Sequence, residues 1–424
     1  MKKNNTTNLF TKLTQIKPSE IKGAFVSFIF LFVLMASYMI MKPVRDALPS
    51  DWGNVGLAQQ WSYTFIVATI AVSIYNFCAS KIPVKRLVPS VFVFFAITFI
   101  LIYTANKLNI GTAYLGKIFY VWSSVFSLFH ISVFWSYISQ QYSKEDSKRV
   151  FGFINVGASL GAISGPLLII LLAKKISVEN ILLITSGALF ITLPLLAYLN
   201  YYFSKNASQT EQTLSLSSNP FSGFQEFITH KRLLGIAAFI FMFTGLSAFM
   251  YTAQTELLSD FSRAERKTLL GSVELATNIL TIIIGIFATN RISRKFGMKT
   301  SLSMVPFILV GLILLLTINP AVIFVLALQV VRRSGNYAIT RPAREILFTA
   351  VDREARFKTK PIIDVAVYRG GDVFWIWIIA FLGDGYLDLG ITAILLVAAV
   401  VVLLWGFLGV YLGKKHDETD TPTT

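Results

Sequence analysis

A single cysteine, Cys78, excludes any intramolecular disulfide, and no zinc or thiol site can be built from it. The three histidines, His130, His230 and His416, are too scattered to suggest a metal cluster, so no metal and no cofactor is expected. No GxxxxGK[ST] loop, nucleophile elbow or His-rich cluster occurs. Direct ATP-driven pumping by this chain and hydrolytic catalysis therefore lack their usual residues, and the chain does not read as an enzyme. Charge is scarce as well. Asp, Glu, Lys and Arg make up 14% of 424 residues, against about a quarter in soluble domains.

What fills the chain is apolar. Hydrophobic residues reach 54% and the mean hydropathy is +0.64. Apolar runs of about twenty residues recur from end to end, the length needed to cross a bilayer. They predict an all-α integral membrane protein with twelve transmembrane helices. The first six spans lie near 22–41, 57–79, 87–105, 113–139, 151–173 and 180–202. The second six lie near 233–254, 268–289, 299–318, 321–347, 361–382 and 389–412. Between them, 203–232 is polar and rich in Ser and Thr, which predicts a cytoplasmic linker. The domain expectation is a six-helix bundle over 1–202, the linker, and a second bundle over 233–424. The first run ends in Lys42-Pro43 without a small-residue cleavage site and reads as a retained helix.

The net charge of +16 could suggest nucleic acid, but in a membrane protein the positions of the cations matter more, and no nucleic-acid partner is expected. Most of the 38 Lys and Arg fall on the side of the N-terminus. The positive-inside bias then predicts both termini in the cytoplasm and a bacterial inner-membrane location. The halves resemble each other weakly. ASKIPVKRLV follows span two and TNRISRKFGMKT follows span eight, both short and basic. YSKEDSKR (142–149) and VDREARFKTK (351–360) occupy matching places before spans five and eleven and read as paired intracellular gate segments. Duplicated six-helix units are a common basis for alternating access. Gly157, Gly161 and Gly165 share one face of span five and predict tight helix packing or a moving interface.

Ionisable residues inside apolar helices are the functional candidates, because a charge at bilayer depth is costly and usually lines a pathway. Arg332 and Arg333 lie about twelve residues into span ten, near mid-membrane at 1.5 Å rise per residue. Adjacent positions point about 100° apart, so one arginine faces a cavity and the other pairs with an acid. A later helix start would instead let both snorkel to a surface. Span eleven carries Asp364, Tyr368, Arg369 and Asp372. An α-helical spacing puts Asp364, Tyr368 and Asp372 on one face, with Arg369 in reach of Asp372 at i+3. That pair belongs either to a substrate site or to a structural ion pair. Glu274 in span eight is a candidate proton site or a counter-ion to an arginine. Lys42, Arg45 and Asp46 end span one, where they guard the outer mouth or act as surface anchors.

Several segments resemble the ATP/ADP translocase family, nucleotide-exchange carriers of intracellular bacteria and plastids distantly related to the major facilitator fold. They are Lys42-Pro-Val-Arg45-Asp46, Phe134-Trp135 with Lys148-Arg149, Pro342-x-x-Glu345, Ile363-Asp364-Val365 and Arg369-x-Gly371. RRSGNYAITRPAREILFT resembles more closely a bacterial branch of that family, usually called simply major facilitator transporters. The resemblance runs over nearly the whole chain and implies a major-facilitator-like fold of two six-helix bundles. Two departures stand out. Asp372 follows the helix-eleven glycine where nucleotide-exchanging members have a lysine, and Ser123 stands about where they carry a glutamate. Losing a cation weakens the case for a triphosphate.

The expected function is a secondary active transporter, a monomer in the lipid bilayer, that moves a small anionic or zwitterionic solute by alternating access. Its site is expected between spans one, four, seven, eight, ten and eleven. Arg332, Arg333 and Arg369 would meet the solute. Asp372 and Glu274 would balance these charges or carry a proton. An ATP/ADP-type exchanger is one alternative, and a channel, receptor or membrane-embedded enzyme is another.

Overall fold

The computed structural model describes residues 16–142, 144–172, 178–205, 227–287, 289–348, 351, 359 and 363–420. Most of the 203–232 linker and of 351–360 lies outside these residues. Among the described residues all regular structure is helical. The first six helices are α1 (Ile21–Asp46), α2 (Gly53–Lys81), α3 (Val84–Lys107), α4 (Thr112–Ile138), α5 (Lys144–Leu172) and α6 (Val178–Lys205). They are followed by α7 (Lys231–Leu257), α8 (Arg263–Phe287) and α9 (Thr289–Ile318). The last three are α10 (Val322–Leu347), α11 (Ile363–Gly385) and α12 (Ile391–Asp420).

Ten of these helices are long and apolar enough to cross a membrane. The other two, α10 and α11, are interrupted. In α10 the α-helix Val322–Gly335 passes through a π turn, Asn336–Thr340, into Arg341–Leu347. Pro342 has no N–H to offer the carbonyl four residues back, so the helix widens just ahead of it. In α11 the π turns Ile363–Val367 and Phe381–Gly385 flank the α-helix Tyr368–Ala380. An apolar run of spanning length, the signal that predicts both spans, carries no sign of such widening.

Two expected loops are helical instead. YSKEDSKR becomes the first turns of α5 from Lys144; charged residues with high helix propensity extend a span beyond its apolar run. TNRISRKFGMKT is helical on both sides of Gly297, the residue at which α9 turns (φ 73°, ψ −177°). Beyond that turn the Asp417 carboxylate of α12 accepts from the backbone N–H groups of Met298 (3.1 Å) and Lys299 (3.2 Å). It caps the new helix start much as an N-cap side chain would.

The helices sort into two compact units. One holds α1, α2 from Ile66 onward, α3 to α6 and the start of α8 as far as Leu275. The other holds Pro49–Phe65, α7, α8 from Ala276 onward and α9 to α12. The packing partners repeat with an offset of six helices. In the first unit α1 packs on α4, α5 and α6, and α3 packs on α4 and α6. In the second, α7 packs on α10, α11 and α12, and α9 packs on α10 and α12. The weak likeness between the halves of the sequence thus has a counterpart in their packing.

Glycine sets the closest approach in the first unit. A Cβ on Gly161 of α5 would meet the Ala36 nitrogen and Met35 Cβ of α1 at 2.9 Å, and the neighbouring Gly165 would meet Met39 Cβ at 2.7 Å. These are backbone and stem atoms that cannot swing aside. Gly161→Ala is therefore expected to destabilise the protein by about 1–3 kcal/mol, as overpacking does, measured as a lower melting temperature in detergent. An unchanged melting temperature would show that α1 and α5 are not held together this tightly.

Candidate functional site

The predicted residues fall into two groups, one in each unit. In the second unit Arg332 sits in α10 just before the π turn and is 8% exposed. Its guanidinium is held by neutral oxygens. Nη1 donates to the Ser247 hydroxyl at 2.6 Å. Nε and Nη2 donate to Gln329 Oε1 at 3.0 and 2.7 Å. Among the described residues no carboxylate lies within ion-pair distance of it. Arg333, Tyr337, Tyr368 and Asp372 are near enough to influence it electrostatically. Arg332 is thus buried and bonded by no acid among the described residues, while Arg333, half-buried, stands at the next position about 100° round the helix.

In α11, Arg369 Nη1 bonds Asp372 Oδ2 at 3.4 Å across one helical turn, as the spacing predicts. The Arg369 guanidinium also lies 5.9 Å from the Tyr368 ring centroid. Asp364 falls in the π turn Ile363–Val367, so the single face expected for Asp364, Tyr368 and Asp372 does not follow. A π turn holds more residues than an α turn and rotates what precedes it. The Asp364 side chain lies outside the described residues. Gly371 lets α11 approach α7 closely, since a Cβ there would overlap Thr244.

In the first unit Lys42 of α1 forms an ion pair with Glu274 of α8. The Lys42 side chain is 14% exposed and that of Glu274 4%. Glu274 thus meets a lysine from α1, and the Lys42 side chain is largely buried. Arg45 bonds its neighbour Asp46 (2.7 Å), reaches the Ser124 hydroxyl of α4 (3.5 Å) and lies 5.8 Å from the Tyr120 ring centroid. Both α1 cations therefore engage protein groups.

Sequence reasoning missed several polar residues. Gln329, Gln254 and Ser247 carry no charge and were lost in apolar runs. Their signal is positional, since Gln329 lies three residues before Arg332, the spacing at which helical side chains meet. Arg266 and Lys267 precede the expected start of span eight near 268, yet they are buried in the first turns of α8. Arg266 Nη1 donates to the Ala47 carbonyl at the end of α1 (3.4 Å). Ser123, the second departure from the nucleotide exchangers, bonds the Tyr120 carbonyl of its own helix (3.1 Å) and is fully buried.

Solved structures share this fold at low sequence identity. A bacterial homolog of the human lysosomal transporter Spinster aligns with a TM-score of 0.62 and 11% identity, over 96% of this chain and all of the other. The nucleoside transporter NupG aligns with a TM-score of 0.64 and 13% identity, over 93% of this chain and 99% of its own. No curated protein matches the sequence. The family model described as Major Facilitator Superfamily matches residues 23–351. With the twelve-helix fold and transporter neighbours along nearly its full length, the chain belongs to the Major Facilitator Superfamily.

Proposed function

We propose that this protein is a secondary active transporter that carries a small anionic or zwitterionic solute by alternating access across a bacterial inner membrane, with both termini in the cytoplasm. The observation that carries the reading is Arg332. It is a cation buried within a spanning helix and cradled by Gln329 and Ser247 rather than by a carboxylate. An arginine so placed at depth marks a pathway, and its planar fork suits a carboxylate or phosphate. Arg369 and Tyr368 lie on the neighbouring helix within the same electrostatic environment. The Arg369–Asp372 pair cancels one positive charge, which favours a solute with few negative groups over a nucleotide triphosphate. Positive-inside charge supports the orientation.

Lys42 and Glu274 are assigned to coupling. A buried acid paired with a lysine that can rearrange is suited to exchange a proton during the cycle. Glu274→Gln keeps a hydrogen-bond acceptor for Lys42 and removes the titrating group. It is expected to abolish gradient-driven uptake while sparing solute exchange. Gradient-driven uptake at the wild-type level in that variant would remove the proton role.

The direct test of the solute class is a thermal-shift screen of the purified protein with organic acids, phosphorylated metabolites, nucleotides and neutral controls. Stabilisation by acids or phosphates alone supports the reading. Stabilisation by neutral solutes alone contradicts it.

A further inference from the structure

Gln329 is 2% exposed, and its amide is fixed from both sides. Its Nε2 donates to Gln254 Oε1 at 2.9 Å and to the Met250 carbonyl at 3.1 Å. Those two acceptors turn Oε1 toward the Arg332 guanidinium, where it takes both Nε and Nη2. Gln254 is itself buried. The result is a chain of neutral groups, from α7 through Gln329 to Arg332, that orients the arginine with no carboxylate bonded to it among the described residues. A guanidinium has five N–H donors. Gln329 and Ser247 take only some of them, and an N–H on each terminal nitrogen is left over among the described residues. A glutamate would occupy nearly the same space as Gln329 and form a closed ion pair.

We infer that Gln329 is the specificity-determining positioning residue of this site: the Gln254–Gln329 relay holds Arg332 oriented by neutral groups rather than by a bonded carboxylate, so that the carboxylate or phosphate of the solute completes the pair. This rests on the anion-site reading above. It explains why a buried cation is bonded by one amide and a hydroxyl where a structural arginine would have an acid. An internal acid would compete with every incoming anion, because binding would first have to break a buried ion pair, which is costly.

Two variants of similar volume separate charge from shape. Gln329→Glu cancels the charge, and Gln329→Met removes the relay without adding charge. Inorganic phosphate and succinate are the probes, read by thermal shift on the full chain. In Gln329→Glu the half-saturating concentration is expected to rise by on the order of 100-fold, and in Gln329→Met by less than about 10-fold. Equal losses in the two variants would mean that Gln329 only fills space and would overturn the inference, as would unchanged anion response in Gln329→Glu. A second measurement needs no ligand. Arg332→Met is expected to hold or raise the melting temperature in the wild-type background and to lower it in the Gln329→Glu background. Equal lowering in both would show that the charge is already compensated, which overturns the inference. Failure of the anion-site reading registers separately, as a wild type that ignores both probes, and the sign reversal still decides whether the relay holds Arg332 without a bonded carboxylate.

Discussion

Arg332→Ala is expected to abolish stabilisation by anions and to weaken solute affinity by on the order of 100-fold or more, the cost of removing one partner from a desolvated charge pair. The reasoning is geometric. Arg332 is a buried cation whose described hydrogen bonds end on the neutral oxygens of two side chains. Its loss removes the positive charge that the solute is to meet and leaves the Gln329 amide and the Ser247 hydroxyl in its place. Arg369→Ala is expected to have a smaller effect in the same direction. The Arg369 side chain is 32% exposed and already shares its charge with Asp372. Thermal shift with the acids and phosphates active on the wild type checks both. Unchanged stabilisation in both variants would remove the arginines from the site.

The second large effect lies in the other unit. Glu274→Leu strips Lys42 of the carboxylate it bonds. Breaking a buried pair from one side typically costs about 3–5 kcal/mol, whereas replacing both partners with apolar groups of similar size is often neutral. The double variant Lys42→Met with Glu274→Leu is therefore expected to recover most of the lost stability. A melting-temperature cycle over the wild type, the two single variants and the double variant reads the coupling. Additive losses would show that the pair does not hold α1 to the start of α8. The double variant should also fold without transporting against a gradient, because it contains no residue 274 acid. Stability and coupling are thus separable at one ion pair.

Much of the architecture is legible from hydropathy alone, because a bilayer demands about twenty apolar residues per span and forbids unsatisfied backbone. All twelve runs appear as helices, including α10 and α11, whose length as single α-helices the π turns obscure. What such a run does not carry is the π turns themselves. Pro342 is a local sign of the first and Gly383 and Gly385 lie within the third, while nothing in Ile363–Val367 marks the second. Helix ends moved outward for a similar reason. Charged residues such as Arg266 and Lys267 precede the expected run, but side chains at the end of a spanning helix can turn inward onto a neighbour when a carbonyl such as that of Ala47 awaits them.

The site was legible where charge interrupts an apolar run. Arg332, Arg369, Asp372, Lys42 and Glu274 stand out by composition, and the i+3 contact between Arg369 and Asp372 follows from spacing. Pairings over long separations were not legible. Lys42 and Glu274 are 232 residues apart, and no local rule joins them. The polar cradle of Arg332 was hidden because glutamine and serine are cheap enough in apolar helices to pass without notice. Yet it is their neutrality that gives the arginine its proposed role.

The most direct test of the transport claim is counterflow. Liposomes holding the purified protein and preloaded with an acid or phosphate that stabilises it should accumulate labelled solute transiently, saturably and without net current beyond the coupled ions. The same liposomes with Arg332→Ala should show no accumulation. Flux that rises without saturation, or counterflow that survives the loss of Arg332, would contradict a carrier built on that guanidinium.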